Sequence, residues 1–404
     1  MTPPSVVGAD GSDHRPAGTV LPHQPDDNSG GQAVSSYALL LDGTTVEIRP
    51  VRADDLAGLL RLHERMSNES MYLRFFGVSH AAAEQIATRL CRDPALEGHA
   101  LVACLNGEIV GVAHHEDVDI RGAAEMAIVV ADQVHHRGVG TLLIEHLASR
   151  ARQHGVKAFR AEVLGQNQAM LRVFADAGLH AETQAGAGVV TLTVPLAVDD
   201  TYLDAVAERE RRADIESLRP LLRPSTVAVI GASRTPGSVG RAILDNAQSG
   251  GFPGTLYVVN PNADRVAGVP SFPTAAALPE PPDLAVVAVP AVAVCRVAED
   301  CGRRGTRALV VVTSGLDHDQ GAGLLTICRR YGMRLVGPNC FGIADTTAGL
   351  DLTFGVRPPV AGSAGVVVQS GGVGIALLAH LGRLEIGVSS FVSVGDTVFF
   401  VAND

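Results

Sequence analysis

The chain has 404 residues, 46% of them hydrophobic and 19% charged, with 44 glycines and no tryptophan. Aromatics make up only 4% and the net charge is -11, which excludes stacking platforms for bases, a general nucleic-acid binder and a ligand for anionic membranes. The six cysteines (Cys91, Cys104, Cys295, Cys301, Cys328, Cys340) have neither CxxC pairs nor zinc-type spacing and read as reduced thiols of a cytoplasmic protein without a metal site. The sequence shows no apolar run of membrane-spanning length and no signal-peptide pattern.

In chain order, residues 1–36 are rich in Pro, Gly, Ser, Asp and His without periodicity, and predict a disordered leader. A first domain is expected over residues 37–196. Val46 to Val51 reads as a strand and Ala53 to Met66 as an amphipathic helix. Strands follow at Ala100–Asn106 and Glu108–His114, joined by an Asn106-Gly107 turn, with another at Glu125–Val130. Then come a helix from about Gly138, a strand at Ala158–Val163, a helix at Gln168–Asp176 and closing strands up to Val194. Residues 197–217 are charged and helix-prone, a linker helix.

Composition then shifts. "STVAVIGAS", "GTLYVVNPN", "DLAVVAVPA", "RALVVVTSG" and "RLVGPNC" are short apolar runs, each ending in small or turn residues and separated by helical stretches. That rhythm predicts βα units around a buried parallel sheet over residues 218–346. A further unit starts at "AGVVVQSGGVG". Residues 347–404 are expected to be a partial domain, with "DTVFFVAND" after Gly395 suggesting a truncated or frame-shifted end and an incomplete sheet.

Two stretches carry chemistry. In "HHRGVGTLL" a strand gives way to Arg137-Gly138-Val139-Gly140-Thr141 and a helix begins at once. The first amides of a helix have no intrahelical acceptor, and the helix dipole adds positive potential there, so this is an anion cradle. Arg137 would add a charge-assisted contact. On the residues alone, the two glycines equally suit a plain strand-to-helix turn. The second stretch, "VAVIGASRTPGSVGRAIL", again places strand, glycine loop and helix in order. Its spacing departs from GxGxxG, and the next strand ends in Asn260-Pro261 rather than the acidic residue that grips an NAD ribose, which disfavours an oxidoreductase.

Residues 43–195 resemble the GCN5-related N-acetyltransferase (GNAT) family. The resemblance rests on His135-His136-Arg137-Gly138-Val139-Gly140 at the acetyl-CoA motif, on "NQAMLRVFADAGL" opening at Asn167, and on "VEIRPVRADD". It implies acetyl transfer from acetyl-CoA to an amine by direct attack. The backbone of Ile128 to Val130 would bind the pantetheine arm, the amides of Arg137 to Thr141 (Gly138, Val139 and Gly140 between) the pyrophosphate, and Asn167 would belong to the same cofactor site. Glu125, expected to be buried and so raised in pKa, would be the base, with Glu116, His114 and His115 in reserve. His135 replaces the family's Gln/Arg, and Phe174 stands where many members carry a tyrosine acid, so no phenolic acid is expected.

From about Leu218 the chain resembles the CoA-binding domain of NDP-forming acyl-CoA synthetases, the succinyl-CoA ligase alpha type, through "VAVIGAS", "PGSVG", "VVNPN", "VAVPA", "VVVTSGL", "GPNCFG" and "VVVQSGGVG". That implies a CoA phosphate site at Gly231, Ser233, Gly237 and Ser238, with Pro290, Ser314 and Asn339 at strand ends facing the same cleft. The fold class expected is therefore α/β: a mixed αβ GNAT domain, a Rossmann-like doubly wound CoA-binding domain and the start of a flavodoxin-like ligase domain. The fusion resembles bacterial protein lysine acetyltransferases of the Pat type. It implies a protein substrate with an acceptor lysine, of acyl-CoA synthetase type, and a regulatory CoA-binding module. The alternatives are a fragment of an ADP-forming acetate–CoA ligase and a CoA-sensing module without its own catalysis.

Overall fold

This computed structural model describes residues 35–399, apart from residues 76–79, 94, 95, 97, 119, 121, 187 and 397. The expected leader lies outside them except for Ser35 and Ser36.

The N-terminal part is a mixed sheet. Its strands are β1 (Ser36–Leu39), β2 (Thr45–Pro50), β3 (Ala100–Leu105), β4 (Glu108–Asp117), β5 (Ala123–Val130), β6 (Ala158–Leu164), β7 (Glu182–Gly186) and β8 (Val189–Pro195). They lie in the order β1-β2-β3-β4-β5-β6-β8-β7. All neighbours run antiparallel except β5 and β6, which pair in parallel only from Ala123–Ala158 to Glu125–Arg160. Beyond Glu125 the two strands part. Helices α1 (Leu56–Glu64), α2 (Asn68–Phe75) and α3 (His80–Arg92) precede β3, α4 (Val139–Gln153) follows β5, and α5 (Gln168–Asp176) follows β6. One apolar core joins these elements, with Leu59, Leu101, Leu143, Leu147, Phe159 and Leu192 fully buried.

Helix α6 (Asp200–Leu222) is continuous and runs past the expected end of the linker at 217. Asp199 caps it, accepting from the Tyr202 amide at 2.9 Å. Tyr202, Leu203 and Val206 pack on the N-terminal core. Leu218, Leu221 and Leu222, at its other end, pack on the core of the following domain. The linker is thus structural at both ends.

The second sheet has the order β11-β12-β10-β9-β13-β14-β15-β20, from β9 (Thr226–Ile230), β10 (Thr255–Val259), β11 (Arg265–Val266), β12 (Val269–Phe272), β13 (Leu284–Val287), β14 (Ala308–Val311), β15 (Arg334–Val336) and β20 (Val398–Phe399). Strands β12, β10, β9, β13, β14 and β15 are parallel. Each central strand feeds two cores: Val227 and Val229 point to one, Ala228 and Ile230 to the other. This two-sided burial is why these runs read as continuously apolar rather than alternating. Helices α7 (Val239–Ser249), α8 (Ala291–Arg304) and α9 (His318–Tyr331) cover the faces. A third sheet, β17-β16-β19-β18, combines β16 (Gly342–Asp345), β17 (Leu350–Asp351), β18 (Ala361–Val368) and β19 (Val388–Ser393), with α10 (Gly371–Arg383) alongside. The chain then returns, and β20 adds antiparallel to β15. The fold is α/β throughout.

Candidate functional site

A cleft of about 810 Å³ opens where β5 and β6 diverge. Met126 to Val130 line one side, Ala161 to Val163 the other, and His135 to Thr141, except Arg137, one end.

That end is the anion cradle. Gly138 is the residue before the first turn of α4, in the left-handed region at φ 93°, and no side chain caps the helix. The first amide to find a carbonyl within the helix is that of Leu142, bonded to Gly138 at 3.0 Å. The amides of Val139, Gly140 and Thr141 are therefore the free donors of the first turn. A Cβ on Gly140 would stand between Val173 and Ile128, at 3.4 and 3.7 Å, in the cleft itself. An anion can approach the backbone here because that methyl is missing.

Arg137 does not face this cleft. Its guanidinium donates to Asp42 at 2.8 Å and Thr44 at 3.0 Å, and its carbonyl accepts from the Leu41 amide at 3.0 Å. Burial pushes the Asp42 carboxyl up, but hydrogen bonds from Thr44 and the Arg137 charge outweigh it and hold the group below its usual range. The expected phosphate contact is thus replaced by a clamp from the β1–β2 turn, whose Leu41 also covers Gly138. His135 spans the loop to the Val130 carbonyl at 3.0 Å, so the altered first motif position has a local partner. Asn167 lies in the cleft wall as the cap of α5, accepting from the Met170 amide at 3.1 Å.

At the other end, His114, Glu116 and Glu125 come together. Cα partners across β4 and β5 are His114 with Ala127 and Glu116 with Glu125, so all three side chains share the cleft face. Glu125 is exposed, which corrects the expectation of burial. Strand alternation explains it: Ala124 and Met126 take the buried face, at 0% and 4% exposure, and leave Glu125 on the open one. Glu116 is already engaged, accepting from both ends of the Arg89 guanidinium at 3.0 and 2.6 Å. Among the described residues Glu125 has no such ion pair. Arg74, half-buried beside it, is pushed down by desolvation, and the Glu125 charge opposes that shift.

His114 is nearly buried and 3.7 Å from Glu116. Burial, then the nearby Arg74 and Arg89 charges, push it down to about 3, so the imidazole is neutral. His115 points the other way, fully buried and stacked on His99 with ring centres 4.6 Å apart, which removes it from the site. Phe174 is fully buried in the core, outside the cleft lining. Arg74 and Arg89, from α2 and α3, were missed in the sequence because they sit on ordinary amphipathic helices without a motif.

Residues 54–179 match the acetyltransferase (GNAT) family. This segment is a GNAT acetyltransferase domain. Residues 225–346 match the CoA binding domain family. The GNAT domain is similar to the GNAT domain of S. lividans PAT, 31% identical over 40% of this chain and 96% of that one, with a TM-score of 0.37. The C-terminal half is similar to an ADP-forming acetate–CoA ligase of Methanocaldococcus jannaschii, 36% identical over 44% of this chain and 26% of that relative. It is also similar to the dinucleotide-forming acetyl-coenzyme A synthetase 1 of Ca. Korarchaeum cryptofilum, 40% identical over 44% of this chain and 39% of that one, TM-score 0.43. The chain thus spans between about a quarter and two fifths of the length of the ligase relatives it matches. CoA, free or acetylated, is the cofactor of these domains, and the cradle beneath Gly140 fits its pyrophosphate.

In the CoA-binding domain, Gly231, Ser233, Gly237, Ser238, Pro290, Ser314 and Asn339 all follow parallel strands on one edge of the sheet. Gly231 has φ +94° and a Cβ there would meet the Ala288 carbonyl at 2.4 Å. Gly237, at φ +82°, has open space instead. Ser233 and Ser238 hydroxyls lie 3.0 Å apart across the loop. Asn260 donates to the Ala232 carbonyl at 2.9 Å, so it supports the glycine loop where an NAD fold would place an acid. Asn339 donates to Asp396 at 2.9 Å. Pro290 is the residue before the first turn of α8. A Cβ on Gly240 would meet the Gly231 carbonyl at 2.9 Å, so glycine there permits the close helix–strand packing.

Among the described residues, no helix is long and apolar enough to cross a membrane, and no group of His, Cys, Asp or Glu side chains is placed to hold a metal.

Proposed function

We propose that the chain is a cytoplasmic lysine N-acetyltransferase that takes acetyl from acetyl-CoA, acts on a protein of acyl-CoA synthetase type, and carries a regulatory CoA-binding module. The observation that carries this reading is one cleft with the amide cradle of α4 at one end and the exposed Glu125 carboxylate at the other. When bound, acetyl-CoA supplies an activated thioester to which an amine adds directly. The amides of Val139, Gly140 and Thr141 hold the pyrophosphate, and the parted backbone of Ile128 to Val130 receives the pantetheine arm. Glu125 attracts the acceptor ammonium and takes its proton, leaving the amine free to attack. Glu116 is fixed by Arg89, and His114, held down to about 3, is too weak a base to compete for that proton. With Phe174 in the core, thiolate release relies on water or backbone N–H groups rather than a phenol.

The test is incubation of the full chain with acetyl-CoA and an acyl-CoA synthetase, read by mass at the acceptor lysine. Acetylation of that lysine, lost in Glu125→Gln, supports the reading; equal acetylation by the variant places the base elsewhere. A ligase reading is favoured only by the C-terminal likeness, and ATP-dependent formation of a CoA thioester by this chain would support it.

A further inference from the structure

The donor cleft does not end at the boundary of the acetyltransferase domain. Helix α6, beyond residues 54–179, lends Ala205, Glu208, Arg209 and Arg212 to its lining. Facing them from α5 are Arg172 and Asp176, four residues apart and so on one helix face.

The position of α6 is fixed. Arg209 is ion-paired with Glu145 of α4, both side chains nearly buried, and donates to the Asp176 carbonyl at 3.2 Å. Gly178, after α5, lets the α6 backbone come so close that a Cβ there would meet Tyr202 Cα at 3.0 Å. Arg209 is therefore consumed in holding α6 against the helix that forms the cradle.

The other two cations of this lining, Arg172 and Arg212, sit at the surface. Arg172 is exposed and makes no ion pair among the described residues. It precedes Val173, the residue that a Gly140 Cβ would touch, so it lies just outside the cradle. On α6 a single carboxylate, Glu208, accepts from two guanidiniums, Arg211 at 3.0 Å and Arg212 at 2.5 Å. Arg211 alone can keep Glu208 paired, which leaves Arg212 available to an anion entering between α5 and α6. CoA carries a second phosphate, the 3′-phosphomonoester of its ribose, outside the pyrophosphate. Such a group bears close to two negative charges and prefers guanidinium partners.

Resting on the reading that this cleft takes acetyl-CoA, we propose that α6 completes the donor site, with Arg212 and Arg172 binding the 3′-phosphate between them. The linker is then part of the acetyl-CoA site as well as the connection between domains.

The test compares acetyl-CoA with its 3′-dephospho form by calorimetric titration into the full-length chain, wild type beside Arg172→Gln/Arg212→Gln. Both positions are on the surface, so the fold is expected to survive. The wild type is expected to prefer acetyl-CoA by about tenfold or more, as for paired charge-assisted bonds, and the double variant to bind both forms alike. Two results overturn the proposal alone: an undiminished preference in the variant, or equal weakening for both forms. A wild type that binds neither form overturns the donor reading together with it.

Discussion

Replacing Gly140 by alanine separates folding from binding at the cradle. Gly140 is the second residue of α4 and has ordinary helical backbone angles, so the fold does not require glycine there. A methyl group would meet Val173 and Ile128 at 3.4 and 3.7 Å, ordinary contact distances. Glycine in a helix costs roughly 0.5–1 kcal/mol relative to alanine, so the variant is expected to be more stable by that amount. For a domain of this size that corresponds to a rise in melting temperature of about 1–4 °C. The same methyl would stand where phosphate oxygens meet the amides of Val139 to Thr141. Losing one hydrogen bond to a charged group costs about 1.5–3 kcal/mol, or roughly 10- to 150-fold in affinity. Thermal denaturation and calorimetric titration with acetyl-CoA on the same preparation measure both effects. A stabilised variant that binds acetyl-CoA as tightly as the wild type would refute the cradle.

Three further outcomes follow from the geometry. Gly231→Ala puts a Cβ 2.4 Å from the Ala288 carbonyl at φ +94°, so the CoA-binding domain should lose at least ~1–2 kcal/mol, seen as an earlier denaturant midpoint, while Gly237→Ala, with open space, loses only the left-handed strain. His114 and His115 are held neutral, at about 3 and about 4 against 6.5 unfolded. Below pH 6.5 the unfolded chain takes up protons that the folded one refuses, so stability is full above 6.5 and falls as pH drops toward 4, and His115→Phe should flatten that decline in pH-dependent melts. Arg89→Gln frees Glu116 from its bidentate partner, and a second carboxylate then competes for the acceptor's proton beside Glu125, which pH–rate profiles would register as a changed acid limb.

The β-strand and helix signals along the chain were legible because they are local: alternation in β4, apolar runs in β9 and β13, glycines at strand-to-helix turns. The cradle was legible for the same reason, since Gly138, Gly140 and the helix they open are adjacent. Partners distant in sequence were not. Arg137 looked available to a phosphate because nothing near it shows that Asp42, in a turn 95 residues away, holds it. Glu125 was expected to be buried from its apolar neighbours, although alternation between Ala124 and Met126 already places it on the opposite face. Arg74 and Arg89 shape the Glu125 end of the cleft through tertiary packing alone. The contribution of α6 required knowing that Gly178 lets that helix approach α5.

The most direct measurement of the central claim is CoA release by the full-length chain with acetyl-CoA and a lysine-bearing protein acceptor, wild type beside Glu125→Gln, with donor affinity measured in parallel. Removing a positioned base is expected to lower the rate by about 10²- to 10⁴-fold with donor affinity unchanged. Release at the wild-type rate by the variant, or a wild type that takes up no acetyl-CoA, would contradict the account.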